Sequence, residues 1–77
     1  MQTTPTAITG ANVRAEMARR RITQTVVAEA LGLSQTQVSA RLRGRVPFDV
    51  NEITTIARLL DVDVPTLLDG AERAGAA

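Results

Sequence analysis

The chain has 77 residues and contains neither cysteine nor histidine. This length allows one domain with a single modest core, and the missing residue types exclude a disulfide scaffold, a zinc site and Ser/Cys–His catalysis. Residues 1–45 contain seven arginines and two glutamates, whereas residues 46–77 contain two arginines and six acidic residues, so the first half is expected to face a polyanion and the second to be solvated.

The apolar residues predict an all-α chain, because 12 of the 34 are alanine and no alternating strand pattern occurs. Residues 1–7 lack periodicity and predict a flexible N-terminus. Val13 and Met17 lie four residues apart and predict a first helix near residues 9–20. Thr23 is expected to cap a second helix over 24–31 that ends at Gly32, and Ser34 to cap a third over 35–42.

The second half of the chain predicts two more helices. Asp49 and Glu52 form a capping-box pattern, followed by an apolar stripe that extends to about Leu60. Asp63 is expected to cap a fifth helix over 64–69, with Pro65 in its first turn. Residues 71–77 are expected to be a flexible tail, so the predicted domain covers residues 8–70. The core is expected to include Val13, Met17, Val27, Leu31, Val38, Ile53, Ile56 and Leu60.

The segment from Ile22 to Gly44 has the features of two short helices crossing at a steep angle. Such a crossing needs a small residue at the contact and a turn residue that accepts a positive φ. Ala28 and Gly32 meet these needs, and Val38 is expected to fill the angle from the second helix. Residues 35–37 then project from the start of that helix beside arginines, which is the arrangement that enters a DNA major groove.

In these residues and their spacing the chain resembles the phage repressor and Cro family of helix-turn-helix proteins, over about residues 8–69. The resemblance implies a five-helix, lambda-repressor-like DNA-binding domain. The residues that carry it are Thr23-Gln24, Ala28, Gly32, Ser34-Gln35, Val38, Arg43-Gly44-Arg45 and Pro47.

The resemblance also implies which side chains contact DNA. The candidates for base edges are Gln35 and Thr36, with Gln37, Ser39 and Ala40 within reach. A glutamine amide matches adenine and a threonine methyl matches thymine, so an A·T step in each half-site is expected. Gln24 is expected to hold a phosphate and to buttress Gln35. The remaining phosphate candidates are Arg43, Arg45 and either Arg14 or Arg20.

Two positions depart from the family pattern. Arg21 stands where the family usually has glycine at the end of the first helix, which would cost about 1 kcal/mol if the backbone is left-handed. Arg41 stands where an apolar residue is usual. Either the third helix is slightly rotated or Leu42 alone closes the core, and Arg41 reaches DNA or solvent.

These observations predict a DNA-binding transcriptional repressor of the Cro type in the cytoplasm of a bacterial host cell. It is expected to bind double-stranded DNA as a weak homodimer on a pseudo-palindromic operator. The two copies are expected to contact each other through the acidic half of the chain, at the fifth helix with Leu67 and Leu68 and at the tail of residues 71–77. The alternative is a helix-turn-helix protein-interaction module, such as an antitoxin or an anti-repressor. No enzyme activity, metal, cofactor or membrane association is expected, since no nucleophile–base pair, ligand cluster or long apolar run is present.

Overall fold

Residues 4–74, which are the residues that the computed structural model describes, form six α-helices and no strand. The predicted all-α fold and its five helices are confirmed, and a sixth short helix follows them. None of these helices is both long and apolar enough to cross a lipid bilayer. The helices are α1 (Pro5–Arg20), α2 (Gln24–Leu31), α3 (Gln35–Leu42), α4 (Val50–Leu60), α5 (Val64–Leu68) and α6 (Ala71–Ala74).

Three of the helices are capped at their N-termini by the polar side chains that the sequence predicts. The Thr23 hydroxyl accepts a hydrogen bond from the first turn of α2 at 3.4 Å, and Ser34 and Asp49 form complete capping boxes at α3 and α4. Each of these caps satisfies an N–H that has no partner within its own helix. Asp63 precedes α5, but its side chain makes no capping hydrogen bond. The start of α5 is therefore favoured by Pro65 rather than by a cap.

The first helix begins earlier than the sequence pattern predicts. Thr4 caps α1 by accepting a hydrogen bond from the backbone N–H of Ala7 at 3.1 Å, and Pro5 occupies the first turn. Ala7 is buried, with its backbone pressed against Gly44. The prediction of a flexible segment is therefore wrong for residues 5–7, because this turn packs against the loop after α3. Residues 1–3 of that predicted segment lie outside the described residues.

The predicted tail also contains a packed element. Ala71 opens α6 and is buried. The Asn12 side chain of α1 donates hydrogen bonds to the backbone oxygens of Leu67 and Asp69 at 3.0 and 2.9 Å. These two bonds fix the end of α5 against α1. The residues that follow, which form α6, therefore also pack against α1. The prediction of a flexible tail is thus wrong for residues 71–74, and residues 75–77 lie outside the described part of the chain.

A single core lies between the first five helices. Leu67 is completely buried in it and Leu42 is only 2% exposed. Leu67 therefore packs inside its own protomer, which corrects the prediction that it lies at a dimer surface. Leu31 lies at the edge of the core and is half-buried. The other predicted core residues are all buried, namely Val13, Met17, Val27, Val38, Ile53, Ile56 and Leu60.

Two helices end at left-handed residues that are not glycine. Arg21, which stands where the resembled family usually has glycine, has φ 54° at the end of α1, and Asp61 has φ 56° at the end of α4. The left-handed conformation costs a residue with a Cβ about 1 kcal/mol. Gly32, which ends α2 with φ 68°, avoids this cost. Arg21 therefore keeps a guanidinium group in the α1–α2 turn at some expense of stability.

The contact between α1 and α3 fixes the position of α3 on the domain. A Cβ at Gly10 would lie 2.6 Å from the backbone oxygen of Leu42 and 2.8 Å from that of Arg41. The two backbones therefore approach too closely for any side chain between them. The Arg14 guanidinium adds a hydrogen bond to the same Leu42 oxygen at 2.8 Å. The last turn of α3 is held to α1 by both contacts.

Candidate nucleic-acid interface

The helix-turn-helix unit consists of α2, the turn at residues 32–34 and α3. The backbone N–H of Leu33 donates to the oxygen of Ala28 at 3.0 Å, which closes the end of α2 over the left-handed Gly32. Ala28 and Val38 are buried in the common core, as predicted. The turn and these two small side chains leave the polar start of α3 on the surface.

Most of the side chains predicted to contact DNA lie together. Seven of the ten line one open groove on α3 and its flanks. Within the part of the chain that the structure describes, this groove lining contains two arginines and no carboxylate. We call this surface the α3 groove, and its lining residues are Gln24, Gln35, Thr36, Ser39, Ala40, Arg43 and Arg45.

The two arginines reach the α3 groove because the chain folds back after α3. The backbone N–H of Arg45 donates to the oxygen of Ala40 at 3.0 Å, across a left-handed Gly44 with φ 79°. A Cβ at Gly44 would lie 2.6 Å from the Cα of Ala7, so the loop is also pressed against α1. Arg43 and Arg45 are both exposed. Their guanidinium groups are thus available beside the polar face of α3.

The amide of Gln35 is held by α2, although not by the predicted residue. Its Nε2 donates a hydrogen bond to the Thr25 hydroxyl at 2.7 Å. The prediction that Gln24 buttresses Gln35 is therefore wrong, because Thr25 occupies that place. Gln24 lies exposed in the lining of the α3 groove, and its contact with a phosphate stays a prediction.

Gln37 does not lie with the other base-contact candidates. Its Oε1 accepts a hydrogen bond from the backbone N–H of Ser34 at 2.9 Å, and its own N–H donates to the Ser34 hydroxyl at 3.1 Å. These two bonds are the capping box of α3. Because the amide oxygen of Gln37 stabilises the helix start, the structure does not bring this side chain to the α3 groove.

Arg14 and Arg20 are likewise engaged within the protein. Arg14 donates to the Leu42 oxygen at the end of α3, and Arg20 forms an ion pair with Glu16 one turn earlier on α1. Arg19 pairs with the same carboxylate. The Glu16 side chain is only 10% exposed, so its two arginine partners compensate a largely buried charge. Neither phosphate candidate on α1 lines the α3 groove.

Arg41 takes neither of the two positions that the sequence left open. Its Nε lies 3.0 Å from Oε1 of Glu52, and both side chains are less than one fifth exposed. Arg41 also donates to the backbone oxygen of Gln37 at 3.1 Å, while the same Glu52 oxygen accepts from the backbone N–H of Asp49. Arg41 thus joins α3 to the capping box of α4, and Leu42 closes the core beside it.

The comparison with protein families decides the identity of this arrangement. A family model described as a helix-turn-helix domain matches residues 9–74, which include all six helices in part or in full. The chain belongs to the helix-turn-helix domain family. No curated protein and no solved structure matches it.

Membership of the helix-turn-helix domain family supports DNA binding as the function of this chain. Among residues 4–74, no three His, Cys, Asp or Glu side chains form a group that could hold a metal ion.

Sequence reasoning missed two residues that position the site: Thr25 bonds to Gln35, and Gly10 lets α3 approach α1. A small residue facing the end of a neighbouring helix gives no periodic pattern by which either could have been found.

Proposed function

We propose that this helix-turn-helix domain is a sequence-specific transcriptional regulator, a Cro-like phage repressor acting in the cytoplasm of a bacterial host. It binds a pseudo-palindromic operator through the major groove, has no enzymatic role and blocks polymerase by occupying the site. The α3 groove carries this proposal, because it places neutral hydrogen-bonding side chains beside two arginines. Base reading and phosphate binding require these two kinds of group side by side.

In this proposal the start of α3 enters the major groove. Gln35 reads adenine and the methyl group of Thr36 contacts thymine, with Ser39 and Ala40 next to them along the helix. Arg43, Arg45 and Gln24 bind phosphates on the two sides of the reading residues. The planar guanidinium group suits a phosphate because it presents paired N–H donors.

Replacing Gln35 with alanine is expected to weaken binding to the preferred operator by about 2 kcal/mol, or about 30-fold. The base contact is lost while the phosphate contacts persist, so binding to unrelated duplexes is expected to stay unchanged. Specificity then relaxes at one base pair per half-site. Affinities of parent and variant for every single-base change of the selected operator give this result. Equal weakening on all sequences would identify Gln35 as a backbone contact instead.

The functional unit is proposed to be a weak homodimer completed on DNA. One recognition helix reads only a few base pairs, and two copies on a symmetric site lie about 34 Å apart, one turn of the duplex. Leu67 is buried, but Leu68 on α5 is 38% exposed and stays available for this contact.

Selection of bound sequences from a random duplex pool tests the operator and the dimer together. We expect an enriched pseudo-palindrome with two copies bound, and a monomer in sedimentation of the dilute free protein. One copy on a sequence without symmetry would contradict the dimer. If no sequence is enriched and weak binding does not depend on salt, the chain is a protein-interaction module such as an antitoxin or anti-repressor.

A further inference from the structure

The hydrogen bond between Thr25 and Gln35 joins the two helices of the helix-turn-helix at the edge of the α3 groove. Thr25 Oγ1 accepts from Gln35 Nε2 at 2.7 Å, and both residues are exposed. Such a solvent-exposed bond between neutral groups contributes little to folding. Of these two residues, Gln35 lines the α3 groove and Thr25 does not. Thr25 therefore contacts the proposed reading side chain without belonging to that surface.

The bond leaves the recognition capacity of Gln35 intact. A carboxamide has two N–H donors and two acceptor sites on its oxygen. One N–H is directed to Thr25, so the other N–H and the oxygen stay available for the N7 and N6 groups of adenine. A free glutamine side chain samples many rotamers and loses this freedom when it binds a base. A glutamine that is already held by α2 loses less rotamer freedom when it binds, so its preference for one base edge is stronger.

We propose that Thr25 is a positioning residue for base recognition, holding the Gln35 carboxamide where it reads adenine. The proposal rests on the proposed function of the α3 groove. Thr25 itself contacts no base. It acts on the choice of base at the Gln35 position and leaves general attachment to DNA unchanged, because Arg43 and Arg45, the arginines proposed to bind phosphate, follow α3 and do not depend on this bond.

Two substitutions at Thr25 separate the hydroxyl from the shape of the side chain. Thr25→Val keeps the branched shape and removes the hydroxyl, and Thr25→Ser keeps the hydroxyl. We expect T25V to reduce the preference for adenine at the Gln35-dependent base pair about fivefold, the size of one hydrogen bond. T25S should stay close to the parent. Binding to unrelated duplexes and the melting temperature should be the same in all three proteins.

The same measurement with the Q35A chain completes the experiment. If Thr25 acts through Gln35, T25V has no further effect on base preference in Q35A. An equal loss in both backgrounds, or equal weakening on every duplex, would show that Thr25 contacts DNA directly and would overturn the proposal. An unchanged preference in T25V, with Q35A still relaxing it, would overturn this proposal alone. A parent chain that selects no sequence would overturn it together with the proposed function.

Discussion

Replacing Gly10 with alanine is expected to lower the free energy of unfolding by about 3 kcal/mol, because the new Cβ forces two backbones apart. It would lie 2.6 Å from the Leu42 oxygen, and a backbone oxygen at the end of a packed helix has no rotamer by which to move aside. In an isolated helix the same substitution would stabilise by about 1 kcal/mol. The expected change in the free energy of unfolding therefore has the opposite sign to the change that helix propensity alone would give. Thermal unfolding should show a melting temperature lower by about 15 °C.

Gly32→Ala is the matched control for this substitution. Gly32 has φ 68°, but a Cβ there would meet no atom within 4 Å. Only the left-handed backbone opposes the alanine, so the expected loss is about 1 kcal/mol. Urea unfolding of both variants compares the two costs directly. A Gly10→Ala protein that is as stable as the parent, or more so, would contradict the close crossing of α1 and α3.

The double variant Arg43→Ala, Arg45→Ala is expected to lose most of its attachment to DNA. Each neutralised phosphate adds about −0.9 to the slope of log K against log salt, so the slope should become less steep by about two units. At 0.1 M salt this corresponds to about 60-fold weaker binding. Because phosphates carry no sequence information, the preferred operator and unrelated duplexes should weaken by the same factor. Fluorescence anisotropy over a salt series measures both quantities.

Arg58→Ala, Arg73→Ala provides a control of identical charge. Both side chains are exposed, and both lie in the acidic half of the chain, away from the α3 groove. This variant should keep the slope of the parent. If both double variants reduce the slope equally, net charge rather than the α3 groove attracts DNA. A parent protein whose binding does not change with salt would contradict DNA binding altogether.

The bounds of α2, α3 and α4 were predictable because caps and apolar stripes are local patterns. Ser34 and Asp49 each bond to an N–H three residues away, and Gly32 changes the backbone direction by its own conformation. Such interactions can be recognised in a short window of sequence. The start of α1 was missed, although Thr4 and Pro5 form the usual cap and first-turn pair. This pair was not recognised because it stands among other threonines and because the residues next to it show no periodic apolar pattern.

The side-chain partners at the interface were less predictable than the helices. Arg14 bonds to an oxygen 28 residues away and Arg41 to a carboxylate 11 residues away. In a sequence both look like free cations beside a recognition helix. Their true partners depend on how α1, α3 and α4 cross, and this geometry follows from contacts such as that at Gly10. Arg43 and Arg45 line the α3 groove next to a turn that Gly44 marks in the sequence, and their contact with phosphate stays a prediction.

The proposed division of the α3 groove into base-reading and phosphate-binding residues has an evolutionary consequence. Gln35 and Thr36 are exposed, Ser39 and Ala40 are half-buried at the rim, and none of the four belongs to the core. Under the proposed function, mutations at these positions would change which bases are read without disturbing folding, while Arg43 and Arg45 would continue to supply affinity for any duplex. A lineage with this domain would then acquire a new operator in single steps, with every intermediate still folded and still attached to DNA.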